Sequence, residues 1–415
     1  MWIERDISNF IQQNTDLIQI IRGPRQCGKT SLILRLDPNF KELSLDDPSL
    51  RELAQSDPEL FLRQFNSKKL FIDEAQYAPA LFPSLKRRAD LFKRNPTNKP
   101  QTILRLTGSN QILMDKNIKE SLAGRASFFD MNTLSIAEIL KARNSNIQDI
   151  LYKGGWPELH ANETRDPKKF LDDYINSYLE KDVVLAAGIQ KSREFLKFIK
   201  LLAGRVGGLL DFASLGADVG IDGKTVKEWV SVLERMHIIA LVAPFMSNLS
   251  SRLIKSPKIY FIDTGLACLL QGWTSAEPII TSPQQGALFE NLVFSEIFKL
   301  NLNYQLGWQV YHWRSRDGEE IDFLIQKDPK QFLFIESKVS PTKVKDPINF
   351  PEVKKVFRKN LPQLIVCHQE GEFPLLNNQV PIEYLKNFLL NVSGPAVFTN
   401  QAHRPKAYLK NKKSE

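Results

Sequence analysis

Short apolar runs alternate with amphipathic stretches over the first 130 residues. Residues 17–22 read as a buried strand, and residues 42–45, 69–72 and 103–107 as three more. A helix is expected over residues 30–36, directly after the first strand and its polar loop. Alternation of this kind predicts an α/β fold with a parallel sheet and crossover helices. Ligands of such sheets bind at the carboxyl ends of the strands. Three polar clusters fall there: residues 23–30, Asp73-Glu74 and Gly108-Ser109-Asn110.

Beyond residue 132 the pattern changes three times. Residues 133–191 read as helical, with Gly154-Gly155-Trp156-Pro157 as a turn between helices. Residues 192–282 hold two amphipathic helices at 195–203 and 225–236, with a turn at 221–224. Strand-like runs at 238–243 and 258–262 follow, around a polar loop at 247–255. Helices followed by a hairpin predict a winged helix-turn-helix. After Ser282-Pro283 comes an apolar helix at 286–300 carrying Glu290 and Glu296, then strands at 309–314, 321–325, 332–338 and 363–367, with a helix at 353–359. These predict a separate α/β domain over residues 283–400, followed by a basic tail at 401–415. The preceding divisions are 1–132, 133–191 and 192–282.

Composition adds limits. Apolar content of 42% and charged content of 25% are ordinary for a globular chain with real cores. The net charge of +9 permits an anionic partner, though part of it lies in the tail. Cys27, Cys268 and Cys367 have no metal-ligand spacing, so a reducing, cytoplasmic setting is expected. No run of about 18 apolar residues predicts a membrane span, and the charged N-terminus does not read as a signal peptide.

Gly23-Pro24-Arg25-Gln26-Cys27-Gly28-Lys29-Thr30 has the complete eight-residue phosphate-loop pattern, with Ser31 next. Glycines let backbone N–H groups close around a polyphosphate. Lys29 sets a cation on the β- and γ-phosphates, and Thr30 offers a hydroxyl to Mg²⁺. The helix that starts there turns its positive end to the phosphates. Leu70-Phe71-Ile72-Asp73-Glu74 supplies the second half. Asp73 is expected near Mg²⁺, and Glu74 as the base that polarises the attacking water. The expected ligands are therefore ATP and Mg²⁺. Either Ser109 or Asn110 fits a sensor of the γ-phosphate or the attacking water. Arg125 reads either as an arginine finger supplied to a neighbouring subunit or as a surface arginine capping a helix. Arg25 is a further candidate for phosphate or partner contact.

These motifs, with Phe71-Ile72-Asp73-Glu74-Ala75-Gln76, Thr107-Gly108-Ser109 and Ser121-Leu122-Ala123-Gly124-Arg125, resemble a group of prokaryotic AAA+ ATPases. That group carries a C-terminal domain of unknown function similar to restriction endonucleases. Gly154-Gly155-Trp156-Pro157, Tyr178-Leu179-Glu180-Lys181-Asp182, Phe261-Ile262-Asp263-Thr264-Gly265-Leu266, Gly286-Ala287-Leu288-Phe289-Glu290-Asn291 and His312-Trp313-Arg314 match it too. The resemblance implies an AAA+ core with a helical lid, a winged-helix middle and a nuclease-like end. It also implies homo-oligomers, often rings. No second sensor arginine can be placed in the lid.

In the C-terminal part, Ile321-Asp322 and Ile335-Glu336-Ser337-Lys338 have the PD-(D/E)xK form. Glu336 and Lys338 alternate by two on one strand and so share a face. Glu290 is a candidate third carboxylate. Carboxylate oxygens suit Mg²⁺, and a lysine would orient water or stabilise phosphate charge. His312-Trp313-Arg314 and Arg316 either contact phosphate or pack the sheet edge. Lys224, Lys227 and Arg235 on the helix, with Arg252 and Lys255 in the wing, would meet a phosphate backbone or serve as a solvated connector face. The expectation is an ATP-hydrolysing motor or remodelling switch acting on DNA. The alternatives are a nucleotide switch that binds a protein partner and an ATP-gated nuclease.

Overall fold

The structure is a computed structural model. It describes the chain apart from residues 66, 96, 98, 100, 110–112, 115–121, 123, 246–255, 315–319, 342–361, 369–378 and 392–415, and the side chains of 180–182, 185 and 186. The chain forms two compact units. One holds Met1–Leu241 and Ser256–Gly307, the other Val242–Lys255 and Trp308–Glu415.

In the first unit, β1 (Ile18–Arg22), β2 (Lys41–Ser44), β3 (Leu70–Asp73), β4 (Leu104–Gly108) and β5 (Ala126–Asp130) make a parallel sheet in the order β2-β3-β4-β1-β5. Every residue of β3 and β4 is buried, as helices on both faces of a parallel sheet require. One face packs Ile18, Ile20, Ile72, Leu106 and Leu85 together, the other Ile21, Phe71, Leu32, Ile33 and Phe129. The strand order sets β1 beside β4 and β4 beside β3. Their carboxyl ends therefore bring the three polar clusters to one edge. The edge strand β5 is an addition to the expected strands. Its burial is only partial, and the exposed Phe128 sits under the Arg22 guanidinium at 4.9 Å.

Helices follow at Ile136–Ala142, Ile147–Lys153, Pro157–Ala161 and Pro167–Tyr174, the last running into a π-helix at Ile175–Val183. Ser135 and Glu138 form a capping box at the first of them. The turn at Gly154-Gly155 has a steric cause. Gly154 has φ +69°, and a Cβ there would run into the Asp263 carboxylate; one on Gly155 would strike the Leu134 backbone. Gly155 N donates to Asp263 Oδ2 at 2.9 Å, while Asp263 Oδ1 caps the helix Thr264–Leu270.

Helices Ser192–Ala203, Phe212–Val219 and Gly223–Arg235 precede the neighbouring strands β6 (Ile239–Pro244) and β7 (Lys258–Phe261). The helix Gln285–Asn303, expected to open the C-terminal domain, lies in the first unit. Its buried polar residues explain this. Asn291 exchanges hydrogen bonds with both backbone groups of Phe261, at 2.7 and 2.9 Å. Ser295 donates to Ile262 O, Lys299 to Leu134 O, and Glu296 accepts from Ile136 N.

In the second unit, β8 (Gln309–Arg314), β9 (Glu320–Asp328) and β10 (Gln331–Lys338) are antiparallel, and β11 (Gln363–Cys367) and β12 (Gln379–Pro381) extend the sheet in parallel. Trp313, Ile321, Leu324 and Phe334 form its apolar cluster, which gives Trp313 a packing role. The expected helix at 353–359, the loop at 247–255 and the tail at 401–415 lie outside the described residues.

Candidate functional site

The phosphate loop joins β1 to the helix Lys29–Leu36. Gly28 occupies the N-cap with φ +93°, and Gly23 has φ +153°. A Cβ on Gly23 would collide with the Met131 carbonyl oxygen, so the loop is pressed against the chain after β5. Gln26 adopts φ +60°, a region seldom taken by residues other than glycine. The Cys27 side chain is fully buried among Ile7, Ile11, Ile33 and Met131, so what it offers to a phosphate is its backbone. Arg25 reaches the Tyr77 hydroxyl at 3.2 Å, and Ser31 is exposed.

Lys29 is buried, and its ammonium donates to Gly23 O at 3.0 Å and Pro24 O at 2.8 Å. Thr30 Oγ1 lies 3.1 and 3.0 Å from the two Asp73 carboxylate oxygens. Thr107 Oγ1 hydrogen-bonds Asp73 Oδ1 and accepts from Glu74 N at 3.2 Å. Burial pushes the Asp73 carboxyl up, with the Glu74 charge adding to it, against the hydrogen bonds of Thr107 and Thr30. A buried carboxylate beside a hydroxyl is a natural seat for a hard divalent cation.

Glu74 stands at φ +54°, a strained backbone of the kind that clusters at functional sites. Its Oε2 accepts from Gln76 Nε2, from Ser109 N at 3.2 Å and from Ser109 Oγ at 2.8 Å. Burial raises its pKa, but the Lys29 charge and these hydrogen bonds outweigh that and hold it below the ordinary value. Of the two sensor candidates, Ser109 is thus engaged with Glu74, while Asn110 lies outside the described residues. Thr107, Gln76 and Tyr178 join the site without having been assigned roles from sequence. Tyr178 donates to Ser109 O at 3.0 Å.

Arg125 is held by Asp90 of the helix Leu81–Arg94, with Nε 2.8 Å from Oδ1. It immediately precedes β5 and so lies at the amino ends of the parallel strands, the edge opposite the phosphate loop. The phosphate loop of the same chain is therefore out of its direct reach. Arg5 forms a buried clamp behind the loop. It donates to Cys27 O at 2.8 Å, Asn132 O at 2.6 Å and Glu138 Oε1 at 3.2 Å.

In the second unit, β9 and β10 pair as far as Phe323 and Ile335, and Asp322 and Glu336 are the next residue on each strand. Lys338 Nζ is 3.4 Å from Glu336 Oε2, and Asp322 Oδ2 accepts from Ser337 N at 2.8 Å and Oγ at 2.6 Å. Burial and the neighbouring Asp322 charge push the Glu336 carboxyl up to about 8, despite Lys338. Glu336 Oε1 is buried without a hydrogen-bond partner among the described residues. Glu290 is the candidate third carboxylate. It belongs to the first unit, where it pairs with Lys258 at 3.0 Å and accepts from Tyr260. Among the described residues, no cluster of three or more His, Cys, Asp or Glu side chains is set to hold a metal. His312 is buried, Arg314 is exposed, and Arg316, Arg252 and Lys255 lie outside the described residues. Lys224, Lys227 and Arg235 are exposed on the helix Gly223–Arg235. All three cysteines are free and buried, and no described helix is long and apolar enough to cross a membrane.

Three family models match the chain. Residues 15–140 match an AAA domain, residues 144–277 a domain of unknown function (DUF8612) and residues 285–385 a second one (DUF4143). An uncharacterized protein of Mycobacterium tuberculosis, Rv2008c, is 27% identical over 373 residues, covering 88% of this chain and 79% of that one. The uncharacterized MJ1544 of Methanocaldococcus jannaschii is 24% identical, with 80% and 76% covered. Among solved structures, the Walker-type ATPase PABY2304 of Pyrococcus abyssi aligns with a TM-score of 0.38 and 14% identity, over 64% of this chain and 94% of that one. The first part of the chain is similar to AAA-type ATPase domains, and its phosphate loop lies inside the matched region.

Proposed function

We propose that the first unit binds ATP with Mg²⁺ and hydrolyses it. The observation that carries this is the convergence of Lys29, Thr30, Asp73 and Glu74 at the carboxyl ends of β1 and β3, beside Ser109 after β4. Lys29 neutralises the β- and γ-phosphates, with the loop N–H groups around them. Thr30 and Asp73 are the residues that would hold Mg²⁺. The ion supplies neutralisation of charge on the phosphate oxygens when bound. Glu74 takes the proton of the attacking water. Lys29→Ala tests the binding half: it should abolish both retention of labelled ATP and phosphate release. Wild-type binding and turnover in that variant would contradict the reading.

Turnover is assigned to a homo-oligomer in which Arg125 leaves Asp90 and completes the site of a neighbouring subunit. Its place at the far edge of the sheet supports this role over one in its own subunit. The hydrolysis serves movement or remodelling on DNA, supported by the exposed Lys224, Lys227 and Arg235 on a helix followed by paired strands, as in a winged helix. DNA binding that weakens linearly with log salt supports this reading. Absence of such binding favours a switch acting on a protein partner.

A second reading concerns Asp322, Glu336 and Lys338, which we assign to metal-dependent phosphodiester cleavage. The unpartnered, buried Glu336 oxygen with the Asp322 carboxylate beside it supports it, because a divalent cation would satisfy that oxygen. Asp322 and Glu336 would hold the ion, and Lys338 would orient the water. Plasmid and branched DNA incubated with Mn²⁺ should be cut by the wild type and left intact by Asp322→Ala and Lys338→Ala. Equal cutting by all three would rule out this site.

A further inference from the structure

The segment Tyr178-Leu179-Glu180-Lys181-Asp182 lies in the π-helix Ile175–Val183. π-Helices are rare and usually confined to a single turn at functional sites. This one runs for nine residues straight after an α-helix. A π-turn adds a residue to each turn, so it re-aims every side chain that follows. Tyr178 lies within this stretch. It is buried, and its hydroxyl donates to Ser109 O at 3.0 Å. Ser109 in turn supplies two of the donors, N and Oγ, that hold Glu74 Oε2.

Tyr178 also ends a column of aromatic rings. Trp156 lies 4.5 Å from Tyr174, and Tyr174 lies 5.1 Å from Tyr178. At the other end, the Pro157 ring stands 3.9 Å from where a Cβ on Gly28 would be, against the phosphate loop. The column therefore runs from Trp156, the neighbour of that proline, to Tyr178, which holds the Ser109 carbonyl. A buried tyrosine often donates to a backbone carbonyl for structural reasons alone. Two features go beyond that: the place of Tyr178 in a π-helix, and the position of its acceptor within the donor set of Glu74.

We propose that Tyr178 is a positioning residue for ATP hydrolysis, acting through Ser109 to fix the direction of the Glu74 carboxylate. The inference rests on Glu74 being the base that activates water. Tyr178→Phe keeps the ring column and removes the hydroxyl that donates to Ser109 O. Turnover of ATP by the full chain should fall roughly five- to tenfold, with KM for ATP within about twofold. The thermal midpoint is measured alongside, to show that the variant is folded. The discriminating measurement is single-turnover hydrolysis by Glu74→Gln with and without Tyr178→Phe. If Tyr178 acts through Glu74, the second substitution costs less than about twofold in that background. Wild-type turnover by Tyr178→Phe, or the same fold-loss in both backgrounds, would overturn the proposal while leaving Glu74 as the base. Wild-type turnover by Glu74→Gln alone would overturn that assignment, and the proposal with it.

Discussion

Arg5→Met removes a guanidinium that ties three chain segments together behind the phosphate loop. In the native protein its donors reach Cys27 O, Asn132 O and Glu138 Oε1, and the paired side chains are only 3% and 1% exposed. Breaking a buried pair by removing one partner costs about 3–5 kcal/mol, because the remaining charge stays buried. Glu138 keeps hydrogen bonds from Asp6 N at 2.7 Å and Ser135 N at 2.8 Å, which lowers the cost. The two carbonyls left behind add about 1–3 kcal/mol each where water does not reach them, and these effects share partners and do not add fully. A net loss of about 4 kcal/mol follows, which is a fall on the order of 10 °C in the thermal midpoint of the first unit. Circular dichroism melting, with and without saturating Mg-ATP, measures it. Nucleotide affinity should fall too, since Cys27 O lies in the loop itself. Lys141→Met, which breaks the exposed pair with Glu4, is the control and should leave the midpoint unchanged. A midpoint and an ATP affinity for Arg5→Met equal to those of the control would refute the reasoning.

Glu296 predicts a pH effect on the same unit. Burial pushes its carboxyl up to about 7 against an ordinary 4.5, despite the Lys299 charge and the Ile136 N–H. The folded state thus holds the proton more tightly than the unfolded one, and this contribution is present in full below the ordinary pKa. It is lost as pH rises from about 4.5 to about 7, on the order of 3 kcal/mol in all. Urea melts at a series of pH values should show that Glu296→Gln removes that slope; an unchanged slope would mean that Glu296 is ionised in the fold. Gly154→Ala should destabilise the first unit by about 1–3 kcal/mol through overpacking onto Asp263, with a further cost from its positive φ, read by the same melts. Arg125→Ala should reduce turnover by about a thousandfold with ATP binding intact. Mixing it with Glu74→Gln should restore part of the activity, because each variant supplies the group the other lacks; no recovery on mixing would count against a role between subunits.

The phosphate loop, the three strands that end in polar clusters and the strands at 309–314 and 332–338 were legible because each is specified locally. A loop that needs φ near +93° at Gly28 and a lysine at the start of a helix has few sequence solutions. What was hidden depends on contacts distant in sequence. β5 has no continuous apolar run, since its burial is shared with solvent. Glu290, a candidate site carboxylate, has its partners Lys258 and Tyr260 32 and 30 residues away. Asp90 holds Arg125 from 35 residues away, and Tyr178 reaches Ser109 across 69. Glu296 and Lys299 carried no visible assignment because their partners are backbone groups near residue 135. Asp322, Glu336 and Lys338 share neighbouring strands, so their alternation was readable; the burial that pushes Glu336 up was not.

The most direct test of the central claim is a Glu74→Gln comparison. Wild type and variant are each given saturating Mg-ATP, with and without DNA, and phosphate release and bound nucleotide are measured together. Glu74→Gln should bind ATP as tightly as the wild type and release phosphate at least about a hundredfold more slowly. Equal phosphate release by the two proteins would contradict the account.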